Sequence, residues 1–249
     1  MLDDLEVQNC AIVEEWLAQL EQALVQPGSQ SLNALFLSQS YWRDVLALTW
    51  NIQTLCGAET ISDAISERSK DAGLSNIQVE LVDMPPRQIT RVGTETIEAF
   101  FIFKTRVGRG RGIVRLCPDS ADGGRYKAWT FLTALEELNG YEETTDAKRP
   151  TGQSYLRDFH GPNWLDQRQK AEAYKDRDPT VLVVGGGQAG LAAAARLTQL
   201  GIDTLIVDKH ERIGDNWRRQ WDSLRLYSPA RYDGLPGMPF PADGWSFPG

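Results

Sequence analysis

The sequence predicts a chain of two folded parts, an α+β domain followed by the start of a Rossmann-like α/β domain. Helical periodicity dominates the first 75 residues and then gives way to strand-like alternation. A strand, a glycine turn, a small-residue helix and a second strand follow one another from residue 181. The chain ends about 70 residues after Thr180, whereas a doubly wound domain takes about 100 to 150. The second domain is therefore expected to be incomplete.

Three helices are predicted in the first part of the chain. Residues 9–25 repeat apolar side chains at helical spacing, and Pro27-Gly28 ends that helix. A second helix is predicted at residues 31–50 and a third at residues 62–73, where Gly73 ends it. These helices supply the first layer of the α+β domain.

An antiparallel sheet is predicted after the helices, because apolar and polar residues begin to alternate. The predicted strands are residues 77–81, 96–105, 113–117 and 126–132. The glycine–arginine stretch 108–112 and residues 119–124 are predicted to be turns. Together with the helices, these strands give a first domain at residues 1–139.

A polar segment with several prolines and glycines, residues 140–178, is predicted to be a linker. It carries one short helix at residues 164–175, for which Asn163 is the expected N-cap. The Rossmann-like part then occupies residues 179–249.

The glycine turn at residues 185–190 has the spacing of a dinucleotide fingerprint. It follows a short β-branched strand, residues 181–184, that is expected to be buried. Gly185 permits the tight turn, Gly187 lets a diphosphate approach the backbone, and Gly190 allows close packing of helix on strand. The helix N-terminus offers N–H groups to the phosphates, and Asp208 has the spacing of a ribose-binding acid. The alternative is a glycine turn in an ordinary parallel sheet that binds no ligand.

Composition narrows the classes of function. The net charge of −8 gives no electrostatic support for nucleic-acid binding. Three scattered cysteines without a C-x-x-C pair disfavour a disulfide framework, a zinc site and a redox dithiol. The acidic N-terminus lacks the charged region of a signal peptide, and no stretch has the length of a membrane span. We therefore expect a cytoplasmic protein with small-molecule partners and no membrane association.

Several motifs resemble those of class B flavoprotein monooxygenases, the flavin-containing and Baeyer–Villiger type. The resemblance lies in Gly-Gly-Gly-Gln-Ala-Gly-Leu at 185–191, Asp208, and Ile-Gly-Asp-Asn-Trp-Arg at 213–218. The preceding part is similar to the cone-like domain of the nuclear-transport-factor-two type that a fungal and bacterial branch carries. Tyr41-Trp-Arg-Asp, residues 110–116 and Lys127-Ala-Trp-Thr carry that second similarity.

This resemblance implies an FAD- and NADPH-dependent monooxygenase that oxygenates a small organic substrate with molecular oxygen through a flavin hydroperoxide. It also implies the cofactor-binding residues, which are Gly185, Gly187, Gln188, Ala189, Gly190, Asp208, Lys209, Gly214 and Trp217. No residue is assigned a catalytic role.

The sequence departs from the family pattern at three points. Asp215 replaces the second glycine of the Gly-Gly-x-Trp motif, which puts a backbone contact there in doubt. The family's Phe-x-Gly-x-x-x-His motif and a second glycine fingerprint for NADPH are absent from the sequence. We therefore expect an amino-terminal portion that is inactive by itself.

Two other functions stay open. A non-catalytic binding or interaction module, or a truncated paralogue, would explain why the hydride-donor site is missing. An NAD-linked dehydrogenase would use the same fingerprint and acid. Aromatic residues are also ambiguous: Trp42, Trp50 and Trp129 fit a core or a pocket, and Trp217 fits packing or a flavin contact. A cluster of arginines between residues 87 and 115 fits a solvated hairpin tip balanced by Glu95 and Glu98, or a phosphate site.

Overall fold

The computed structural model describes residues 4–26, 28–81, 84–144, 160–236, 238–241 and 244–247. The chain divides into two compact units, Met1–Gly140 and Tyr141–Gly249. Among the described residues, none of the helices combines the length and the apolar character needed to cross a membrane.

The first unit is an α+β domain. Its described helices are α1 (Asp4–Val25), α2 (Gln30–Asn33) and α3 (Ala58–Ala72). Its described strands are β1 (Phe36–Val45), β2 (Ile52–Cys56), β3 (Ser75–Val79), β4 (Arg87–Arg91), β5 (Thr94–Lys104), β6 (Gly108–Asp119) and β7 (Arg125–Leu138). A 3-10 turn at Ser120–Asp122 joins the last two strands.

All seven strands form one sheet in the order β2-β1-β7-β6-β5-β3, and β4 also pairs with β5. Strand β1 runs parallel to β7, whereas its other neighbour, β2, is antiparallel. The remaining pairs are antiparallel. The predicted α+β class with a mainly antiparallel sheet is therefore confirmed, but β1 and β2 precede α3, so the predicted order of all helices before the sheet is wrong.

An aromatic cluster fills the core between α1 and the sheet. Trp16 of α1 lies against Phe36 and Phe131, with ring centroids 6.0 and 5.7 Å apart. Phe101 stacks on Phe131 at 5.4 Å, and the Trp16 indole donates a hydrogen bond to the Leu35 carbonyl at 3.1 Å. The indole N–H is thus satisfied inside the apolar core, as a buried tryptophan requires.

The helix predicted at residues 31–50 is wrong. Only Gln30–Asn33 is helical, and β1 follows at Phe36–Val45. From Ser40 to Asp44 every second side chain is buried, which is the period of a strand. Strand β1 is held in this conformation by hydrogen bonds to β2 on one edge and to β7 on the other. The paired residues of β7 lie about ninety positions later in the sequence.

The turn predicted at residues 108–112 is also wrong, because this stretch is the first part of β6. A Cβ atom built on Gly110 would lie 2.2 Å from the Phe103 ring, and one built on Gly112 would lie 2.0 Å from the Phe101 ring. The glycines therefore make room for two core aromatic rings on the neighbouring strand. The actual turn is held by the Thr105 N–H, which donates to the Gly108 carbonyl at 2.8 Å.

Asp44 organises a buried polar network beneath the loop between β1 and β2. Its carboxylate accepts the Thr133 hydroxyl at 2.6 Å and the Thr49 amide at 2.8 Å. Thr133 in turn accepts the Trp42 indole N–H at 2.9 Å. Trp42 on β1 is fully buried, so its role is core packing. Trp50, in the loop between β1 and β2, is 60% exposed.

The arginine cluster is divided between strands and a hairpin turn: Arg106 lies in the β5–β6 turn, and the other arginines lie on β4 and β6. Arg87, Arg91 and Arg115 converge on Glu98, with nitrogen–oxygen distances of 2.8, 3.6 and 2.7 Å. The Glu98 side chain is only 4% exposed. Burial alone would raise the pKa of Glu98, but hydrogen bonds from Arg87 and Arg115 and the nearby arginine charges outweigh it and lower that pKa.

We expect Glu98→Gln to lower the free energy of unfolding of the first unit by about 2 kcal/mol at neutral pH, because three guanidinium groups lose their shared carboxylate. Folding lowers the pKa of Glu98, so the contribution of Glu98 to the free energy of unfolding is complete at pH values above the ordinary pKa of a glutamate. This contribution is lost as the pH falls from that ordinary pKa through the lowered pKa of the folded state. Urea unfolding at pH 7 and at pH 4 measures both effects. Glu95→Gln, an exposed glutamate on the same strand, is the control and should change stability little. Equal stability of both variants would contradict this role for Glu98.

The second unit contains a parallel βαβ arrangement. Among its described residues, helix α4 (Trp164–Glu172) comes first, followed by β8 (Val181–Val184), α5 (Gln188–Gln199), β9 (Thr204–Val207) and α6 (Asp215–Arg218). The Asn163 side chain accepts the Asp166 amide at 3.0 Å, so the predicted N-cap of α4 is confirmed.

Strand β8 is less buried than predicted. Val183 faces α5, but Leu182 and Val184 are 54% and 82% exposed. In the described part of this unit, β9 is the only strand that pairs with β8. Helix α5 covers one face of this pair, which leaves the apolar side chains of the other face in solvent.

Candidate functional site

A tight glycine turn joins the carboxyl end of β8 to the amino end of α5. Gly185 has φ of 108°, a conformation that favours glycine, and its N–H donates to the Val207 carbonyl of β9 at 2.7 Å. Gly187 is the N-cap of α5, and no side chain caps the helix. The first N–H groups of α5 therefore remain for another acceptor.

The three fingerprint glycines have three distinct environments. A Cβ on Gly190 would lie 1.9 Å from the Gly185 carbonyl oxygen, so only glycine permits this close approach of helix and turn. Within the described part of the chain, and apart from chain neighbours, a Cβ on Gly185 would meet no atom within 4 Å, and one on Gly187 would meet only the Asn216 amide nitrogen, at 3.5 Å. The space above Gly185 and Gly187 is thus open, as a phosphate-binding turn requires.

Asp208 follows β9 directly and reaches the glycine turn. Its carboxylate accepts the Gly186 amide at 2.6 Å and the His210 amide at 2.8 Å, and it contacts the His210 ring nitrogen at 2.8 Å. These hydrogen bonds, first from the His210 backbone and then from Gly186, lower the pKa of Asp208. The carboxylate therefore carries a charge at neutral pH beside the helix N-terminus.

A cavity of about 350 Å³ lies at the carboxyl ends of the two parallel strands. Its lining residues are Val184, Gly185, Val207, Asp208 and Lys209. In open α/β sheets this edge is where ligands bind. The geometry therefore joins an acid, a lysine and a glycine turn around one opening.

The second motif, which we define as residues 213–218, contains the short helix α6, whose N-cap is Gly214 with φ of 85°. Asp215 is 3% exposed, and its carboxylate lies 3.1 Å from Arg218 and 3.5 Å from Arg212. Burial opposes the charged form of Asp215, but the Arg218 hydrogen bond and the surrounding arginine charges prevail and lower its pKa. Asp215 is thus a buried carboxylate that holds the arginines around α6.

Trp217 of α6 borders a larger cavity of about 740 Å³. Its other lining residues are mostly apolar or aromatic and include Gln188, Leu191, Tyr227, Tyr232, Met238 and Phe240. Small-molecule pockets commonly have volumes of about 300 to 1,000 Å³ and such a lining. Trp217 is 47% exposed, so its ring is accessible for stacking.

The predicted site residues fall into three neighbouring groups. The first cavity includes Gly185, Asp208 and Lys209, and the second includes Gln188 and Trp217. The rest lie in the first turn of α5 or at the start of α6, namely Gly187, Ala189, Gly190 and Gly214.

Sequence reasoning missed Gly186 and Asn216. The Gly186 amide binds Asp208, and the Asn216 amide lies over Gly187. Asn216 stands inside the second motif, but no spacing rule indicates where its side chain goes.

The sequence matches, at residues 183–232, the model of a family described as NAD(P)-binding Rossmann-like domain. It is 47% identical over 68 residues to an uncharacterized oxidoreductase CzcO-like of Geobacillus kaustophilus, which is 27% of this chain and 20% of that protein. It is also 33% identical over 85 residues to the indole-3-pyruvate monooxygenase YUCCA1 of Oryza sativa subsp. japonica. This matched segment covers 34% of this chain and 21% of that protein. The chain thus spans about a fifth of the length of these relatives.

Solved structures also align with this chain. A nuclear transport factor 2 (NTF2-like) superfamily protein from Salmonella enterica has a TM-score of 0.37 at 11% identity and covers 54% of this chain and 95% of that chain. A DUF4783 family protein from Bacteroides uniformis has a TM-score of 0.35 at 12% identity and covers 48% of this chain and 96% of that chain.

Proposed function

We propose that this chain is the dinucleotide-binding portion of a flavin-dependent oxidoreductase of the monooxygenase type, with FAD as its dinucleotide. The observation that carries the proposal is the open glycine turn at the carboxyl ends of two parallel strands, with the charged Asp208 beside it. The family match at this segment and the relatives named as an oxidoreductase and a monooxygenase support the same reading.

The residues present fit the parts of FAD. Gly185, Gly187, Gln188, Ala189 and Gly190 would hold the diphosphate, because a side chain at Gly187 would fill the approach to the backbone amides. Asp208 and Lys209, which line the smaller cavity, would hold the adenosine ribose. Gly214 and Trp217 would contact the flavin end, and the larger cavity beside Trp217 has an aromatic lining suited to a planar ring.

Bound FAD would supply hydride acceptance and reaction with molecular oxygen, and the chain would supply binding and orientation. NADPH as hydride donor, molecular oxygen and a small organic molecule as substrate complete the proposal. None of the described residues is assigned to NADPH or to the oxygenation itself.

An NAD-linked dehydrogenase is the second candidate, because the matching family is described as NAD(P)-binding. The larger cavity beside Trp217 favours FAD, since it lies next to the second motif. A binding module without catalysis is the third candidate. Titrating the 249-residue chain with FAD, NAD⁺ and NADP⁺, and recording flavin absorbance after purification, separates the three. A chain that retains NAD⁺ and ignores FAD would refute the flavin assignment.

We expect Asp208→Ala to weaken FAD binding by about 1–3 kcal/mol, the cost of losing one charged hydrogen-bonding partner. Asp203→Ala is a matched control, because Asp203 precedes the same strand at its opposite end and pairs there with Arg177 at 3.0 Å. Calorimetric titration of both variants is the measurement. If the two substitutions had equal effects on FAD affinity, Asp208 would not be a ribose ligand.

A further inference from the structure

The Asn216 side chain lies at the mouth of the glycine turn. Its amide nitrogen is 3.5 Å from the position of a Cβ on Gly187, and no other atom of the described residues, apart from the chain neighbours of Gly187, lies within 4 Å of that position. Among the described residues, no hydrogen-bond partner is found for this amide. A side-chain amide carries two N–H donors. These donors are therefore available at the point where Gly187 leaves its backbone open.

The backbone of Asn216 is held in place by its neighbours. The buried Asp215 carboxylate engages Arg212, Arg218 and Arg219, the last at 3.8 Å. Arg218 also donates to the Ile213 carbonyl at 2.7 Å, which ties α6 to the segment before Gly214. One carboxylate among three guanidinium groups leaves an excess of positive charge around α6. This charge favours an anionic group near Asn216.

We propose that Asn216 donates a side-chain hydrogen bond to the diphosphate of the bound dinucleotide, and that Asp215 is the residue that positions it. This inference rests on the proposed function, because it requires a diphosphate at the glycine turn. The first N–H groups of α5 approach that diphosphate from the helix, and Asn216 approaches it from α6. In the motif that this sequence resembles, the position of Asp215 is a glycine. The Asp215 side chain would restrict the motion of this segment and so hold the Asn216 amide in place.

The test compares ADP with adenosine as probes of the full 249-residue chain, using titration calorimetry. Asn216→Ala should weaken ADP binding about five- to tenfold, which corresponds to one hydrogen bond, and should leave adenosine binding unchanged. Asn216→Gln keeps the amide and should retain most of the ADP affinity. Asn216→Asp replaces donors with a negative charge and should weaken ADP binding by more than the alanine variant does. Thermal unfolding of each variant reports on the fold.

The positioning role of Asp215 has its own readout. Asp215→Asn keeps the shape of the side chain and removes the charge that gathers the arginines. Adding Asn216→Ala to it should cause less further loss of ADP affinity than Asn216→Ala causes alone. Additive losses would show that Asp215 does not act through Asn216.

The outcomes separate the two proposals. If the unaltered chain binds ADP and Asn216→Ala binds it equally well, the role of Asn216 is overturned and the proposed function stands. If the unaltered chain binds neither FAD nor ADP, the proposed function fails, and the role of Asn216 fails with it. If Asn216→Ala does not fold, Asn216→Gln and Asn216→Asp still test the role of the amide. Equal ADP affinities for these two variants would overturn that role.

Discussion

Gly187→Val is expected to weaken dinucleotide binding at least about a hundredfold while leaving the thermal stability of the chain almost unchanged. Among the described residues beyond its chain neighbours, a Cβ at this position meets the Asn216 amide alone, at the ordinary contact distance of 3.5 Å, so the fold has room for the first carbon of a side chain. Gly187 has φ of −79°, which any residue adopts. The branched side chain would instead occupy the space through which a diphosphate reaches the amides of α5. Titration with FAD, together with a melting curve, measures the two quantities.

Gly190→Ala is the matched comparison, three residues further along the chain. Its Cβ would lie 1.9 Å from the Gly185 carbonyl oxygen, which belongs to the turn backbone and cannot move aside cheaply. We expect this variant to lose stability and binding together. If Gly187→Val also lowered the melting temperature strongly, or if it bound FAD normally, the placement of the diphosphate at Gly187 would be wrong.

Gly112→Ala is expected to lower the free energy of unfolding of the first unit by about 3 kcal/mol or more. The added Cβ would lie 2.0 Å from the Phe101 ring and 2.5 Å from the Leu132 carbonyl oxygen. Phe101 stacks on Phe131 in the aromatic core, so its ring has little space to retreat. Urea unfolding followed by tryptophan fluorescence reports on this core, because Trp16 and Trp42 are buried in it.

Gly123→Ala provides the control for backbone strain, since a Cβ there meets no atom within 4 Å although φ is 61°. We expect a loss of only about 1 kcal/mol in that variant. Adding Phe101→Leu to Gly112→Ala should restore part of the loss, because it shortens the ring side chain but leaves the Leu132 carbonyl in place. A Gly112→Ala chain as stable as the Gly123→Ala chain would contradict this account of β6.

The βαβ unit could be predicted from the sequence because its signals are local. The strand, the turn, the helix and Asp208 fall within a short stretch of chain. The positive φ of Gly185 and the close approach of Gly190 to the Gly185 carbonyl are also local requirements. The N-cap Asn163 is equally local, since its partner Asp166 is three residues away. Such features depend little on how the rest of the chain folds.

Strand β1 could not be predicted in the same way, because distant partners decide its conformation. Its residues are also compatible with a helix until β2 and β7 pair with them. The glycines of β6 look like turn residues in the sequence, and only the rings of Phe101 and Phe103 explain them as strand residues. Asn216 belongs to the same class, because α6 must fold back over the glycine turn before its amide meets Gly187.

The parallel pairing of β1 with β7 has a consequence for the order in which the protein folds. The hydrogen bond from Trp42 to Thr133 joins residues 91 positions apart, so the first unit cannot close its sheet until β7 has been synthesised. The β5–β6–β7 meander joins neighbours in sequence and can form before β1 docks on it. No described strand of the second unit enters this sheet. At about 5–20 residues per second, a ribosome needs roughly 5–20 s more for Tyr141–Gly249 after the described strands of the first unit have all been synthesised.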